Sequence, residues 1–168
     1  MKLIHIIRKR RTIRSFIPKK VSKNKIGLIC EAGRWAPSGL NNQPWNFIIV
    51  QNERIKLKIA DFTRYSHIVK SADFIILIFL DKKRSYHLIK DCQAIGACIE
   101  NMLLCATDMG IGSCWIGQIL NKKDKIREFF RLNKRYELMA CLAFGYSKSK
   151  PRVRRMPLKK LILKIYEE

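Results

Sequence analysis

Apolar and polar positions alternate along the chain in blocks that change period several times. Leu3, Ile6 and Ile7 share one face of a helix expected over residues 2–10. Ser22 offers a side-chain oxygen as an N-cap, and Ile26, Ile29, Cys30 and Gly33 then recur at helical spacing up to Pro37. From Trp45 to Gln51 the residues are aromatic and β-branched, which predicts a strand, and Glu53 to Phe62 predicts a short helix. Phe74 to Leu80 is continuously apolar, as expected of a strand buried on both faces. Between Leu88 and Met109 the apolar positions Ala94, Cys98, Met102 and Cys105 predict a long and mostly buried helix. Gly110-Ile111-Gly112 ends it, because glycine accepts the left-handed conformation common at helix ends. A basic amphipathic helix follows at 122–131 with Ile126, Phe129 and Phe130 inward, then a buried strand from Leu138 to Tyr146, and Pro157 opens a short C-terminal helix. The order of elements predicts one α+β domain over residues 1–168, with a central, mostly antiparallel sheet flanked by helices.

Composition narrows the function classes. At 48% hydrophobic residues the 168-residue chain can bury a core, so disorder is excluded. The longest apolar run is far short of the ~20 residues a membrane span needs, and the basic N-terminus lacks a signal-peptide core; the expected location is the cytoplasm. The six cysteines form no Cys-x-x-Cys pair and sit in apolar segments, so a metal site is not expected and they read as small apolar filler. Thirty-five Lys and Arg against thirteen Asp and Glu leave a net charge of +22, which favours anionic partners: nucleic acid, acidic membrane surfaces or phosphorylated cofactors. The basic residues are spread along the chain rather than gathered in a tail, and there is no helix-turn-helix, zinc or RNA-binding signature, so nucleic acid is the lesser expectation.

Three short blocks carry chemistry. Arg10-Arg11-Thr12-Ile13-Arg14 gathers guanidinium forks and a hydroxyl suited to a phosphate, although alone it reads first as a solvated basic run. Pro37-Ser38-Gly39-Leu40-Asn41-Asn42-Gln43-Pro44 is stiffened by two prolines. Its Ser, Asn and Gln side chains both donate and accept, as the edge of a heterocycle requires. Gly110 to Gly117 exposes backbone N–H groups at a helix end, which a planar ring or an anion could approach; a helix cap followed by a strand explains it equally well.

Together these blocks resemble the nitroreductase family, which is marked by an early Arg-Arg-Ser-Ile-Arg-x-Phe run, then Ala-Pro-Ser-Gly-x-Asn-x-Gln-Pro-Trp, then Asn-Met-Leu-Leu-x-Ala before Gly-Leu-Gly-Ser-Cys-Trp. The chain has Arg10–Phe16, Ala36–Trp45, Asn101–Ala106 and Gly110–Trp115 in the same order, and the resemblance runs on to Arg155-Met156-Pro157-Leu158. It implies a flavoprotein that holds FMN, takes a hydride from NADH or NADPH and passes it to a small organic acceptor in a two-step exchange. No side-chain acid or base is required, since the cofactor carries the chemistry. His5, His67 and His87 match no catalytic position. The resemblance places Arg10, Arg11 and Thr12 on the FMN phosphate and ribityl chain, and Arg14 on the pyrimidine edge. It places Pro37, Ser38, Gly39 and Asn41, with Gln43 in support, in a loop supplied by the other subunit of a homodimer. Ile111, Gly112 and Ser113 fall beside the reactive ring, and Arg155, with Arg152 or Arg154 as alternates, on the phosphate. Thr12 stands where the family more often has Ser. Residues 61–71 align with no clear polar contributors, leaving Arg64 and Tyr65 as candidates there.

Overall fold

The computed structural model describes residues 2–167. Its centre is β2 (Phe74–Asp81), every residue of which is buried. Phe74, Ile76, Ile78 and Leu80 pack into one apolar cluster, while Ile75, Leu77 and Phe79 pack into another on the opposite face. A strand covered on both faces has no polar side to display, which is why its sequence is continuously apolar. β2 lies between β1 (Trp45–Val50) and β4 (Tyr136–Gly145), and β3 (Gly112–Ile116) pairs with the far edge of β4. All three pairings are antiparallel, with Trp45 opposite Leu80, Phe74 opposite Phe144 and Gly112 opposite Gly145.

Helices cover the two faces. α2 (Lys23–Arg34) packs on α5 (Leu88–Asp108) over the first cluster, contributing Ile26 and Ile29 against Ile95, Cys98, Ile99 and Met102. The Ser22 hydroxyl caps α2 by accepting from the Lys25 amide. α3 (Glu53–Ala60), α4 (Ser66–Ser71) and α6 (Lys123–Phe129) cover the second face through Ile59, Ile68, Val69 and Ile126. Gly110 ends α5 at φ 73°, and the Ile111 amide reaches back to the Ala106 carbonyl at 2.8 Å.

The structure departs from the sequence pattern in four places. α4 is absent from the reading because six residues are too few to show a period. Phe129, expected inward, is 40% exposed and stacks edge-on to Phe130, because α6 closes at that residue and turns it outward. α1 (Leu3–Lys9) buries none of its residues: Leu3 is 65% exposed and Ile7 44%. Instead of a C-terminal helix there is a single 3-10 turn, Leu158–Lys160, directly after Pro157 on an exposed tail. Among the described residues no helix is long and apolar enough to cross a membrane, and no cluster of His, Cys, Asp and Glu could hold a metal. All six cysteines are free thiols, and burial pushes Cys30 up to about 11 and Cys98 up to about 12, so neither supplies a thiolate nucleophile.

Candidate functional site

The Arg10–Phe16 segment leaves α1 and runs extended beside β3. Thr12 forms a parallel bridge with Ser113, and the Ile13 amide donates to the Ser113 carbonyl at 2.8 Å. In extended backbone successive side chains face opposite ways, so the segment divides its residues between two concavities. Thr12 and Arg14 line one, of about 340 Å³, together with Tyr65, Trp115, Gly117 and Gln118. Arg11 and Ile13 line the other, of about 410 Å³, with Gly112, Ser147 and Lys150.

The first concavity has the composition of a heterocycle site. Arg14 and Thr12 offer a cation and a hydroxyl, Gln118 an amide, and Tyr65 and Trp115 aromatic walls. At Gly117 no atom lies within 4 Å of where a Cβ would stand, so a flat ring can lie directly against the backbone. Gln118 is fixed by its neighbours: its Oε1 accepts from the Thr63 hydroxyl at 2.6 Å and from the Arg64 amide at 3.1 Å. The side-chain set therefore suits the polar edge and the flat face of a flavin.

The expected residues do not all gather there. Ile111 is 2% exposed and belongs to the core, Ser113 is 3% exposed with its carbonyl already paired to Ile13, and a Cβ on Gly112 would meet the Ile13 side chain at 2.9 Å. The stretch of this strand that opens toward Thr12 and Arg14 is Trp115 to Gln118, a few residues further on. Gly117 was the signal in the sequence, since it closes the same glycine-bearing block. Arg10 pairs with Glu100 on α5 at 3.1 Å, and Arg11 turns its guanidinium onto the Arg8 and Arg10 carbonyls at 2.5 and 2.7 Å, capping the C-terminus of α1. Arg152, Arg154 and Arg155 stand on the exposed tail.

The Pro37–Trp45 loop lies elsewhere. Leu40, Asn41 and Gln43 all take left-handed backbone, at φ 55°, 51° and 45°, an uncommon state for residues with side chains. Ser38 Oγ accepts the Gln43 amide at 3.0 Å, and Gln43 Nε2 donates to Asn41 Oδ1 at 3.2 Å. Asn42 Nδ2 donates to the buried Asp91 carboxylate at 2.7 Å, which fixes the loop at the first turn of α5. The Gly112 strand begins at the other end of that helix. At 1.5 Å per residue the two regions stand more than ~20 Å apart along α5. The Arg14 concavity lies past the other end of β3, and within one chain no residue of the loop lines it.

Comparison with known proteins places this architecture. Residues 7–65 and 62–146 match the model of the nitroreductase family. The chain belongs to that family. A nitroreductase-type protein from Desulfovibrio desulfuricans, solved in complex with FMN, superposes with a TM-score of 0.95 at 39% identity over 100% of this chain and 99% of its own. An NADH dehydrogenase/NAD(P)H nitroreductase from Archaeoglobus fulgidus is 29% identical over 86% of this chain and 85% of its own length. An iodotyrosine deiodinase from Thermotoga neapolitana is 25% identical over 67% of this chain and 73% of its own.

Proposed function

We propose that this nitroreductase-family chain is an FMN-dependent oxidoreductase that draws reducing equivalents from NADH or NADPH and delivers them to a small organic acceptor. The observation that carries the reading is the concavity in which Arg14, Thr12 and Gln118 surround the open backbone face of Gly117. The FMN-bound relative at 39% identity over nearly the full length of both chains supports it. Bound there, FMN would supply hydride transfer between the nicotinamide and the acceptor. The chain's own residues bind and orient. Arg14 would place positive charge near the pyrimidine edge, which would favour the reduced state of that ring system, and Thr12 would offer its hydroxyl beside the cation. Tyr65 and Trp115 line the concavity with aromatic surface.

The same reading includes a homodimer. The strained Pro37–Gln43 loop faces outward with Leu40 at 85% exposure, and Leu3, Ile4, Leu28, Trp35, Leu88 and Ile89 are also large, apolar and exposed. A second copy that covers these residues brings its own Pro37, Ser38, Gly39, Asn41 and Gln43 to the Arg14 concavity, and its tail can bring Arg155 to the phosphate with Arg10. The iodotyrosine deiodinase relative supports a second reading of the acceptor, a halogenated rather than a nitrated aromatic, at the same site.

Purified protein loaded with FMN tests the proposal. It is expected to be yellow, to bleach on addition of NADH or NADPH, and to regain colour when a nitroaromatic or quinone is added. A colourless protein that takes up no FMN while retaining DNA in a salt-dependent manner would replace this reading with nucleic-acid binding. Arg14→Ala is expected to weaken FMN retention or slow its reduction.

A further inference from the structure

We infer that the acceptor taken by this site is an anionic planar compound, and that Arg64, at the lip of the Arg14 concavity, is the residue that selects it. The inference rests on the FMN reading above and adds to it the charge class of the substrate.

Arg64 is held at the lip by both of its neighbours. Its backbone amide donates to Gln118 Oε1 at 3.1 Å, while the Tyr65 amide donates to Thr63 Oγ1 at 3.2 Å, so the backbone of residues 63–65 is tied to the turn that follows β3. Its guanidinium lies over the Tyr65 ring, 5.2 Å from the centroid, with Nη2 3.4 Å from the phenol oxygen. Tyr65 and Gln118 both line the concavity, so the cation stacked on Tyr65 stands beside it. Stacking on the ring removes part of the rotational freedom the side chain would otherwise lose on binding.

The charge at Arg64 is uncompensated. Among the described residues it makes no ion pair, and no Asp or Glu lines the concavity. The nearest acid in sequence, Asp61, faces a separate surface hollow with Arg54, Lys58 and Lys70. Arg14 shares the site but is assigned to the flavin, which leaves Arg64 as the cation available to the second substrate. Two aromatic walls and a cation at the mouth fit a flat molecule with a carboxylate or sulfonate at one end. Single-sign charge around a cleft also raises the encounter rate of such a molecule, more strongly at low salt.

The test compares 4-nitrobenzoate with 4-nitrobenzamide, which match in shape and differ in charge, in FMN-loaded wild type, Arg64→Gln and Arg64→Glu. Each turnover reduces the nitro group by two electrons: NAD(P)H, one proton and the nitro compound give NAD(P)⁺, the nitroso compound and water. The expected result is a wild-type preference in kcat/KM for the carboxylate that shrinks about tenfold in Arg64→Gln, reverses in Arg64→Glu, and weakens as salt rises. Lys134→Gln, which removes the same charge from an exposed turn elsewhere, is expected to leave the preference intact. If Arg64→Gln and Lys134→Gln shift the preference equally, or not at all, while the flavin still bleaches with NAD(P)H, the inference is overturned and the oxidoreductase reading stands. A protein that takes up no FMN overturns both.

Discussion

The Asp91 carboxylate, 0% exposed, accepts the side-chain amide of Asn42 at 2.7 Å and so joins the first turn of α5 to the middle of the Pro37–Trp45 loop. The same carboxylate accepts from the Ser85 hydroxyl at 2.6 Å and from the Tyr86 and His87 amides at 3.2 Å each. One buried acid thereby ties the first turn of α5 and the Ser85–His87 segment to the loop that carries left-handed backbone at Leu40, Asn41 and Gln43.

Asp91→Ala leaves these donors without their acceptor at a part-buried site. A buried donor left unpaired costs ~1–3 kcal/mol; water reaches the exposed Tyr86 and His87, which brings the expected total for the four to about 3 kcal/mol. For a chain of this size that is a fall of about 10 °C in melting temperature, readable by differential scanning calorimetry. Asn42→Ala removes one of the four donors and is expected to lower it less.

Acid should expose the same dependence. The Arg135 guanidinium beside Asp81 holds that carboxyl well below the usual carboxylate range, helped by Arg84 and the Lys83 amide against the opposing effect of burial. For Asp91 burial is the largest single influence and pushes upward, but the hydrogen bonds from Ser85, Asn42, His87 and Tyr86 together outweigh it, and the net shift is downward. A carboxyl whose folded pKa is depressed contributes stability that is full above its unfolded value of ~3.9 and lost as pH falls through the folded value. Melting temperature is therefore expected to change little from these two groups above about pH 5 and to fall below about pH 4. A melting temperature that stays level down to about pH 2.5 would contradict the ion-paired state of Asp81.

Two glycines of one block should behave oppositely. A side chain at Gly112 runs into Ile13 within 2.9 Å, whereas one at Gly117 enters empty space in the concavity. Gly112→Val is expected to lower stability by about 2 kcal/mol through overpacking. Gly117→Val is expected to leave the melting temperature of the FMN-free protein nearly unchanged and to weaken FMN binding at least tenfold, by fluorescence titration.

Gln118→Ala releases Thr63 and the Arg64 amide from their shared acceptor. Faster amide hydrogen exchange at residues 63–65 is expected, with exchange in β2 unaffected, because a single local opening does not require the sheet to part.

The sheet and its covering helices were legible because burial writes itself as period. The two-faced β2 is a continuous apolar run, and the Leu88–Met109 pattern matches α5 to within a residue at its C-terminal end. What the sequence could not show was direction. Arg10, Arg11, Thr12 and Arg14 look like one cluster on the page, yet extended backbone turns Thr12 and Arg14 to one side and Arg11 to the other, while Arg10 is drawn to Glu100, ninety residues away. Gly112 and Gly117 are also alike as letters. Only the position of Ile13, set by the register of Thr12 against Ser113, makes one a packing contact and the other an opening.

The separation of the loop from the concavity has a consequence in solution. Within one chain the Pro37–Gln43 loop lines no part of the Arg14 concavity. On the dimeric reading the finished site is then bimolecular and obeys mass action. Flavin bound per chain, and turnover per chain, would fall on dilution below the dissociation constant of the pair, and excess FMN would pull the pair back together.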